Sequence, residues 1–119
     1  MKLQLVPVPV SDVDRAKKFY VEQFGFNADH DHMMGETVRF VQLTPPGSAC
    51  SIAIGKGITP APPGSAQGIL LVVSDIEAAR EDLVGRGVDV SEIKDEQWGA
   101  RHAYLQDPDG NSWQLQQPN

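Results

Sequence analysis

The sequence has few of the features that mark secreted, membrane or nucleic-acid-binding proteins. Its single cysteine, Cys50, excludes an internal disulfide framework and a cysteine-based zinc cluster, and favours a reducing compartment. No apolar run approaches the roughly 18 residues that a membrane-spanning helix needs. The net charge of −6, without a basic stripe interleaved with aromatic residues, argues against nucleic acid as a partner. We therefore expect a cytoplasmic protein with neither membrane nor nucleic-acid partners.

Common catalytic motifs are missing as well. No glycine-rich phosphate loop follows a predicted strand, and no nucleophile elbow is present. What is present is an ordinary globular composition, with 40% hydrophobic and 22% charged residues. A chain of 119 residues can bury one sizeable core but not two independent ones. We predict a single domain over residues 1–119.

Two stretches of the chain repeat each other at a constant spacing. The turn TPPG at Thr44 lies 63 residues before the turn DPDG at Asp107, and the same spacing separates VSD at Val10 from VSD at Val73. One spacing at both ends of the unit indicates an internal duplication. The predicted division is module one at about residues 1–57, a connector rich in Pro and Gly at about 55–68, and module two at about 67–119.

Each module is predicted to contain a strand, a helix and three further strands. Alternating apolar residues predict the first strand, at Val6 to Val10 and again at Ile69 to Val73. Runs bounded by turn residues predict the later strands, at 27–33, 37–43 and 50–55 and then at 88–91, 101–106 and 111–117. The predicted fold class is α+β, with a βαβββ unit used twice.

The predicted helices have candidate caps and one apolar face each. Ser11 or Asp12 precedes the first helix, and Ser74 or Asp75 precedes the second, where Ser74 with Glu77 matches a capping box. The apolar faces should pack on a sheet. They consist of Val13, Ala16, Tyr20 and Phe24 in the first helix and Ile76, Ala79 and Leu83 in the second, with Gly25 and Gly87 as exits.

Two segments carry a family resemblance. They are VPVSDVDRAKKFYVEQFGF, from Val8 to Phe26, and WGARHAYLQDPDGNSWQL, from Trp98 to Leu115. Together with the duplication between them, they resemble the vicinal oxygen chelate superfamily, which includes glyoxalase I, bleomycin-resistance proteins, fosfomycin-resistance enzymes and extradiol dioxygenases. The resemblance spans nearly the whole chain. It implies a curved eight-stranded mixed sheet around a cavity, formed by the two modules, and a homodimer.

The resemblance also implies where a metal would be held. Enzymes of the superfamily bind a divalent metal through His and Glu on the first and last strands of each module, and the corresponding positions here are Leu5, Ser51, Gly68 and Gln114. Leu and Gly donate nothing, and a neutral carboxamide is a poor replacement for a carboxylate. We therefore expect no metal or other cofactor there. The leading hypothesis is a protein that encloses a small organic molecule, similar to the bleomycin-resistance-type binders.

Strand alternation predicts which side chains line the cavity. The predicted lining is Leu5, Pro7, Ser51, Ala53, Leu70, Val72, Gln114 and Gln116, whereas Trp113 and Leu115 point to the core. The candidate ligand contacts are Arg39, Ser51, Trp98, Arg101, His102 and Gln114. Arg39 and His102 are counterparts at the 63-residue spacing, so they would clasp an anionic or carbonyl-bearing ligand if both faced the cavity. A face turned to solvent or to a subunit interface is the equal alternative.

An enzyme is the main alternative function. His30 and His32, at i and i+2, project from one face of a strand. With His102 as a third ligand they would form a non-standard divalent metal site, although a solvated edge strand that carries polar residues is the simpler explanation. His102 alone is also a candidate general base. Either site would suit a glyoxalase-like lyase, an isomerase or a dioxygenase. A third possibility is an accessory protein whose exposed sheet pairs with a partner chain.

Overall fold

The fold consists of two copies of one βαβββ arrangement. The computed structural model describes residues 1–95 and 99–118. Its elements are β1 (Leu5–Pro7), α1 (Val13–Lys18), β2 (Asn27–Met34), β3 (Val38–Thr44), β4 (Ser51–Lys56), β5 (Ile69–Val72), α2 (Ile76–Gly85), β6 (Lys94–Asp95), β7 (Arg101–Gln106) and β8 (Ser112–Gln117). A π-helical turn at Phe19–Gln23 continues α1. The α+β class and the duplicated element order are confirmed.

The strands form two sheets of identical topology. One sheet has the order β1-β4-β3-β2 and the other the order β5-β8-β7-β6, with β1 and β5 parallel to their neighbours and the remaining pairs antiparallel. The eight strands are therefore divided between two four-stranded sheets, and the expectation of one continuous eight-stranded sheet is wrong. The modules meet through packed side chains rather than through a backbone ladder.

Both helices begin at an aspartate. Asp12 accepts a hydrogen bond from the backbone N–H of Arg15 at 3.1 Å, and Asp75 accepts one from Ala78 at 3.1 Å. Each bond satisfies an N–H that the first helical turn leaves without a partner. Of the two predicted caps in each module, the structure uses the aspartate, and the capping box of Ser74 does not form the cap. The exits predicted at glycine are confirmed, since Gly25 and Gly87 have φ of 82° and 87°.

The second module differs from the prediction between its helix and β7. Residues 88–91 form no regular strand, and the short β6 lies further along the chain. The guanidinium of Arg80 donates to the carbonyl oxygens of Val90 and Ser91, at 3.3 and 2.7 Å, and the N–H of Tyr104 donates to the Ser91 hydroxyl at 2.8 Å, so side chains supply bonds that a regular strand pair makes between backbone groups. The alternating apolar pattern in this segment reflects burial of Val88 and Val90 in the core, which an irregular chain achieves as well.

Residues of both modules share one core. An aromatic cluster at its centre joins the first helix and its exit to β8, through Tyr20, Phe24, Phe26 and Trp113. Tyr20 and Trp113 are each at most 1% exposed. Residues 1–95 and 99–118 include no helix that is both long and apolar enough to cross a membrane.

Candidate functional site

Each sheet packs one face on the helices and the shared core and leaves the other face, here called the open face, outside that core. In the second sheet, Leu70 and Val72 of β5 lie opposite Gln114 and Gln116 of β8. Their neighbours in sequence, such as Leu115, belong to the core. The open face agrees with the predicted alternation, because successive side chains of a strand point to opposite faces.

The open face of the second sheet combines aromatic, basic and amide groups. His102 lies opposite Gln116, with 3.3 Å between its Nε2 and the amide Oε1 of Gln116, and is 1% exposed. Tyr104 lies opposite Gln114 and stacks on the His102 ring at 6.4 Å between centroids. The ammonium of Lys94 lies 5.9 Å from the centre of the Tyr104 ring, within cation–π range.

Sequence reasoning missed Tyr104 and Lys94. The signal for Tyr104 was its spacing of two residues from His102, which places the two rings on one face of β7. Lys94 carried no such signal, because it reaches this face through the register of β6, where it lies opposite His102.

The open face of the first sheet is polar in the centre. Ser51 of β4 lies opposite Leu5 of β1. Its hydroxyl is 2.6 Å from the hydroxyl of Thr44, and the amide of Gln42 donates to it at 3.4 Å. Thr44 in turn donates to the carboxylate of Asp29. The hydrogen bonds of Asn27 and Thr44 hold the pKa of Asp29 below its ordinary value, the bond from Thr44 being the larger cause.

The four positions implied for a metal do not fit one. Leu5 faces Ser51 across β1 and β4, but the residue opposite Gln114 is Leu70, not Gly68. The N–H of Gly68 instead donates to the Ser112 hydroxyl at 2.7 Å. This placement differs from the predicted one because module two has two fewer residues between its first strand and its helix. Whether Gly68 or Leu70 is taken as the fourth position, the four side chains include no carboxylate or imidazole.

Arg39 lies on the opposite face from His102. Its guanidinium donates to both carboxylate oxygens of Asp31, at 3.0 and 2.9 Å, and to Asp14 of α1 at 2.7 Å. These bonds raise the pKa of Arg39 and, with Lys17, lower that of Asp31. Arg39 and His102 therefore do not face the same side of their sheets, and the condition for a shared clasp on a ligand is not met, because β3 and β7 differ by one residue in register. The residue that shares the face of His102 is Phe40, opposite Gly55 on β4.

Arg101 also points to the helix side. Its guanidinium donates to Asp95 at 2.9 Å and to Glu77 of α2 at 3.1 Å, and these two carboxylates raise its pKa, Asp95 more than Glu77. The expected contact of Arg101 with a ligand therefore has no support in its position. Trp98, another predicted contact, lies outside the described residues.

The three histidines do not converge. His30 and His32 lie on the exposed edge strand β2, opposite Gln42 and Phe40, whereas His102 lies in the other sheet. In the part of the chain that the structure describes, no group of three or more His, Cys, Asp or Glu side chains could hold a metal ion. The suggestion that His102 completes a site with the pair on β2 is thus not supported.

Comparisons with known proteins agree with this architecture. The family model of the glyoxalase/bleomycin resistance protein/dioxygenase superfamily matches residues 2–115. The solved structure of TnmS3, an antibiotic binding protein from Streptomyces sp. CB03234, is 40% identical, with a TM-score of 0.89 and coverage of 100% of this chain and 97% of that chain. A glyoxalase/bleomycin resistance protein from the same strain is 39% identical, with a TM-score of 0.82 and coverage of 96% and 98%.

A relative from a different genus extends the match. The protein YetH of Bacillus subtilis (strain 168) is 28% identical over 114 residues, which cover 94% of both chains. With a family model that spans nearly the whole chain and two similar solved structures, the assignment does not depend on any single motif. The chain belongs to the glyoxalase/bleomycin resistance protein/dioxygenase superfamily.

Proposed function

We propose that the chain binds a small organic molecule of antibiotic type against the open face of its second sheet. The observation that carries the proposal is the combination of uncharged amides and apolar side chains on that face. Gln114 and Gln116 can each donate and accept hydrogen bonds, and Leu70 and Val72 beside them offer apolar contact. Such a lining suits recognition by shape and hydrogen bonding.

The proposed binding does not use a metal ion at the position implied by the family. Leu5 and Leu70 have no donor atoms in their side chains, and Ser51 and Gln114 supply only neutral oxygens. The similarity to TnmS3, whose description is an antibiotic binding protein, supports enclosure of an antibiotic as the role. Tyr104, which is 38% exposed and stacks on the buried ring of His102, extends the surface with an aromatic ring that can contact a flat part of the ligand.

A homodimer is part of the proposal. Leu70 and Val72 are 47% and 67% exposed in the single chain, and Tyr104 is 38% exposed. Binding pockets typically bury about 70–90% of a drug-sized ligand, which one open sheet face cannot do. A second copy related by two-fold symmetry would cover this face and receive the same cover in return.

A thermal-unfolding screen with antibiotics of several chemical classes tests the proposal. A genuine ligand should stabilise the protein by about 2.7 kcal/mol at a concentration of about 100 times its dissociation constant. The variant Gln116→Leu should lose most of this stabilisation. The matched control Gln23→Leu should retain it, because Gln23 lies on the helix side, where its amide donates to the carbonyl of Arg86. A screen in which no compound stabilises the parent, or in which both variants behave alike, contradicts the proposal.

A test for turnover distinguishes the enzyme hypothesis from the proposal that the protein only binds its ligand. His102 is the observation in its favour, because its imidazole is buried on the open face beside Gln116. Each stabilising compound is incubated with the protein and examined by mass spectrometry. Unchanged ligand supports the binder. The alternative outcome is a reaction product that the parent forms and that His102→Ala, although it still binds the compound, does not form. This outcome would show that the protein is an enzyme that uses His102 as an acid or base.

A further inference from the structure

The edge strand β2 presents two imidazoles side by side. His30 and His32 occupy alternate positions of the strand, and both are exposed. Their ring centroids are 5.5 Å apart, with planes inclined by 29°. A metal about 2.0–2.1 Å from one nitrogen of each ring would place the centroids roughly 5 Å apart in a tetrahedral site. The observed separation of the ring centroids is therefore compatible with chelation of one metal ion by both imidazoles.

The residue between the two histidines is fixed on the opposite face. Asp31 accepts two hydrogen bonds from the Arg39 guanidinium and, at 2.9 Å, one from the ammonium of Lys17. The backbone that carries the imidazoles is held to α1 and β3 by these three charge-assisted bonds. Chelation by His30 and His32 therefore orders little more than two side chains, and this preorganisation lowers its entropic cost.

The surroundings favour a cation. Asp29, next to His30 at the β-bulge, is an acidic neighbour whose carboxylate accepts hydrogen bonds from Asn27 and Thr44. The whole chain has a formal net charge of −6, so long-range electrostatics also attract positive ions.

We propose that His30 and His32 chelate one late transition-metal ion, with Cu²⁺ bound more tightly than Ni²⁺ or Zn²⁺. Imidazole suits these three metals, and the order follows their general affinity for nitrogen ligands. Since the described residues include no cluster of three or more His, Cys, Asp or Glu ligands, water occupies the remaining coordination positions. The site is separate from the four positions implied by the family and does not depend on the proposed function.

Calorimetric titration of tag-free protein with CuCl₂, NiCl₂ and ZnCl₂ tests the site. We expect one Cu²⁺ ion per chain, and about tenfold or greater loss of affinity in His30→Ala and in His32→Ala. The matched control is the double variant His32→Ala with Met33→His, which keeps the number of histidines but moves one imidazole to the other face of β2. It should bind as weakly as His32→Ala. Circular dichroism verifies that each variant is folded.

Three outcomes would overturn the proposal. The parent could fail to bind Cu²⁺ at all, or both single variants could bind it as the parent does, which would place the ion elsewhere. The relocated histidine could also retain parental affinity, which would show that binding needs only a local excess of imidazole and not this strand geometry. Electron paramagnetic resonance of the Cu²⁺ complex gives an independent count of the coordinated nitrogens, and we expect two from imidazole.

Discussion

Asp107 joins the two modules through a buried network of hydrogen bonds. It is 5% exposed, and its carboxylate accepts hydrogen bonds from the backbone N–H groups of Asp109 and Asn111, at 3.0 and 2.9 Å. It also accepts from the Asn111 amide at 2.8 Å and from the Tyr20 hydroxyl at 2.7 Å. Tyr20 accepts in turn from the Trp113 indole at 3.0 Å. Burial, together with Asp107, strongly raises the pKa of Tyr20, so its hydroxyl remains a donor.

Replacement of this hydroxyl should be costly. Tyr20→Phe removes a bond to a buried carboxylate and leaves the Trp113 indole without its acceptor, so we expect a loss of about 1.5–3 kcal/mol in the free energy of unfolding. Urea denaturation measures the loss. The same substitution at the exposed Tyr104 should change the free energy of unfolding by less than about 0.5 kcal/mol. Equal effects at the two sites would mean that the buried network does not stabilise the fold.

At the residue scale, the sequence predicted burial better than it predicted hydrogen bonding. The 3.6-residue spacing correctly placed Tyr20 in the core. It could not identify Asp107 as its partner, 87 residues away. The counterparts that the repeat spacing assigns to Arg39 and Gly68 differ from those in the structure for a related reason. A constant spacing between repeats assumes no insertion. A difference of one residue moves a side chain to the other face of its strand, and a difference of two residues changes its partner on the neighbouring strand.

At the element scale, the helices were the most predictable parts of the fold, because their start signals are local. Asp75 was one of two candidate caps for α2, and the structure shows that it accepts the bond from Ala78. The failure in the second module was also local in origin. The Arg80 guanidinium binds the carbonyls of Val90 and Ser91, and the Ser91 hydroxyl accepts the N–H of Tyr104. Side chains that bond to backbone groups in this way leave no periodic signal in the sequence.

The cap of α2 can be tested with two neighbouring variants. Asp75→Ala should lower the free energy of unfolding by about 1 kcal/mol, because the first helical turn loses an N–H acceptor. Ser74→Ala leaves the cap in place and should change stability by less than about 0.5 kcal/mol. Thermal unfolding of both variants measures the difference. A larger effect at Ser74 would show that the capping box, and not Asp75, starts the helix.

At the scale of the whole molecule, the open faces are the sheet surfaces that a single chain does not pack against its own core. The helix-side faces of both sheets are packed in a common core, whereas Val72 and Leu70 are exposed on the open face. The sequence predicted the alternation of these strands but not the division into two sheets. Hydrogen-bond pairing between end strands depends on the tertiary arrangement of the modules, which no local pattern encodes.

The proposed dimer makes a prediction at this scale. Val72→Glu places a charge on the face that the second copy would cover, so we expect a monomer at concentrations at which the parent is a dimer. Val84→Glu is the matched control, since Val84 is 46% exposed on α2, away from the open face. Analytical ultracentrifugation measures the mass of both variants. A dimeric Val72→Glu variant, or a monomeric parent, would contradict the proposed dimer.

The bonds between the modules also bear on how the chain folds during synthesis. Tyr20 cannot donate its hydrogen bond until Asp107 has been synthesised. The carbonyl of Pro9 likewise accepts from the amide of Asn111, which lies 102 residues further along the chain. Much of module one therefore leaves the ribosome before its partners have been translated. Contacts of such long sequence separation slow folding, because a large loop must close before they contribute. We expect the nascent first module to remain open, with its aromatic side chains accessible to chaperones, until the final turn emerges.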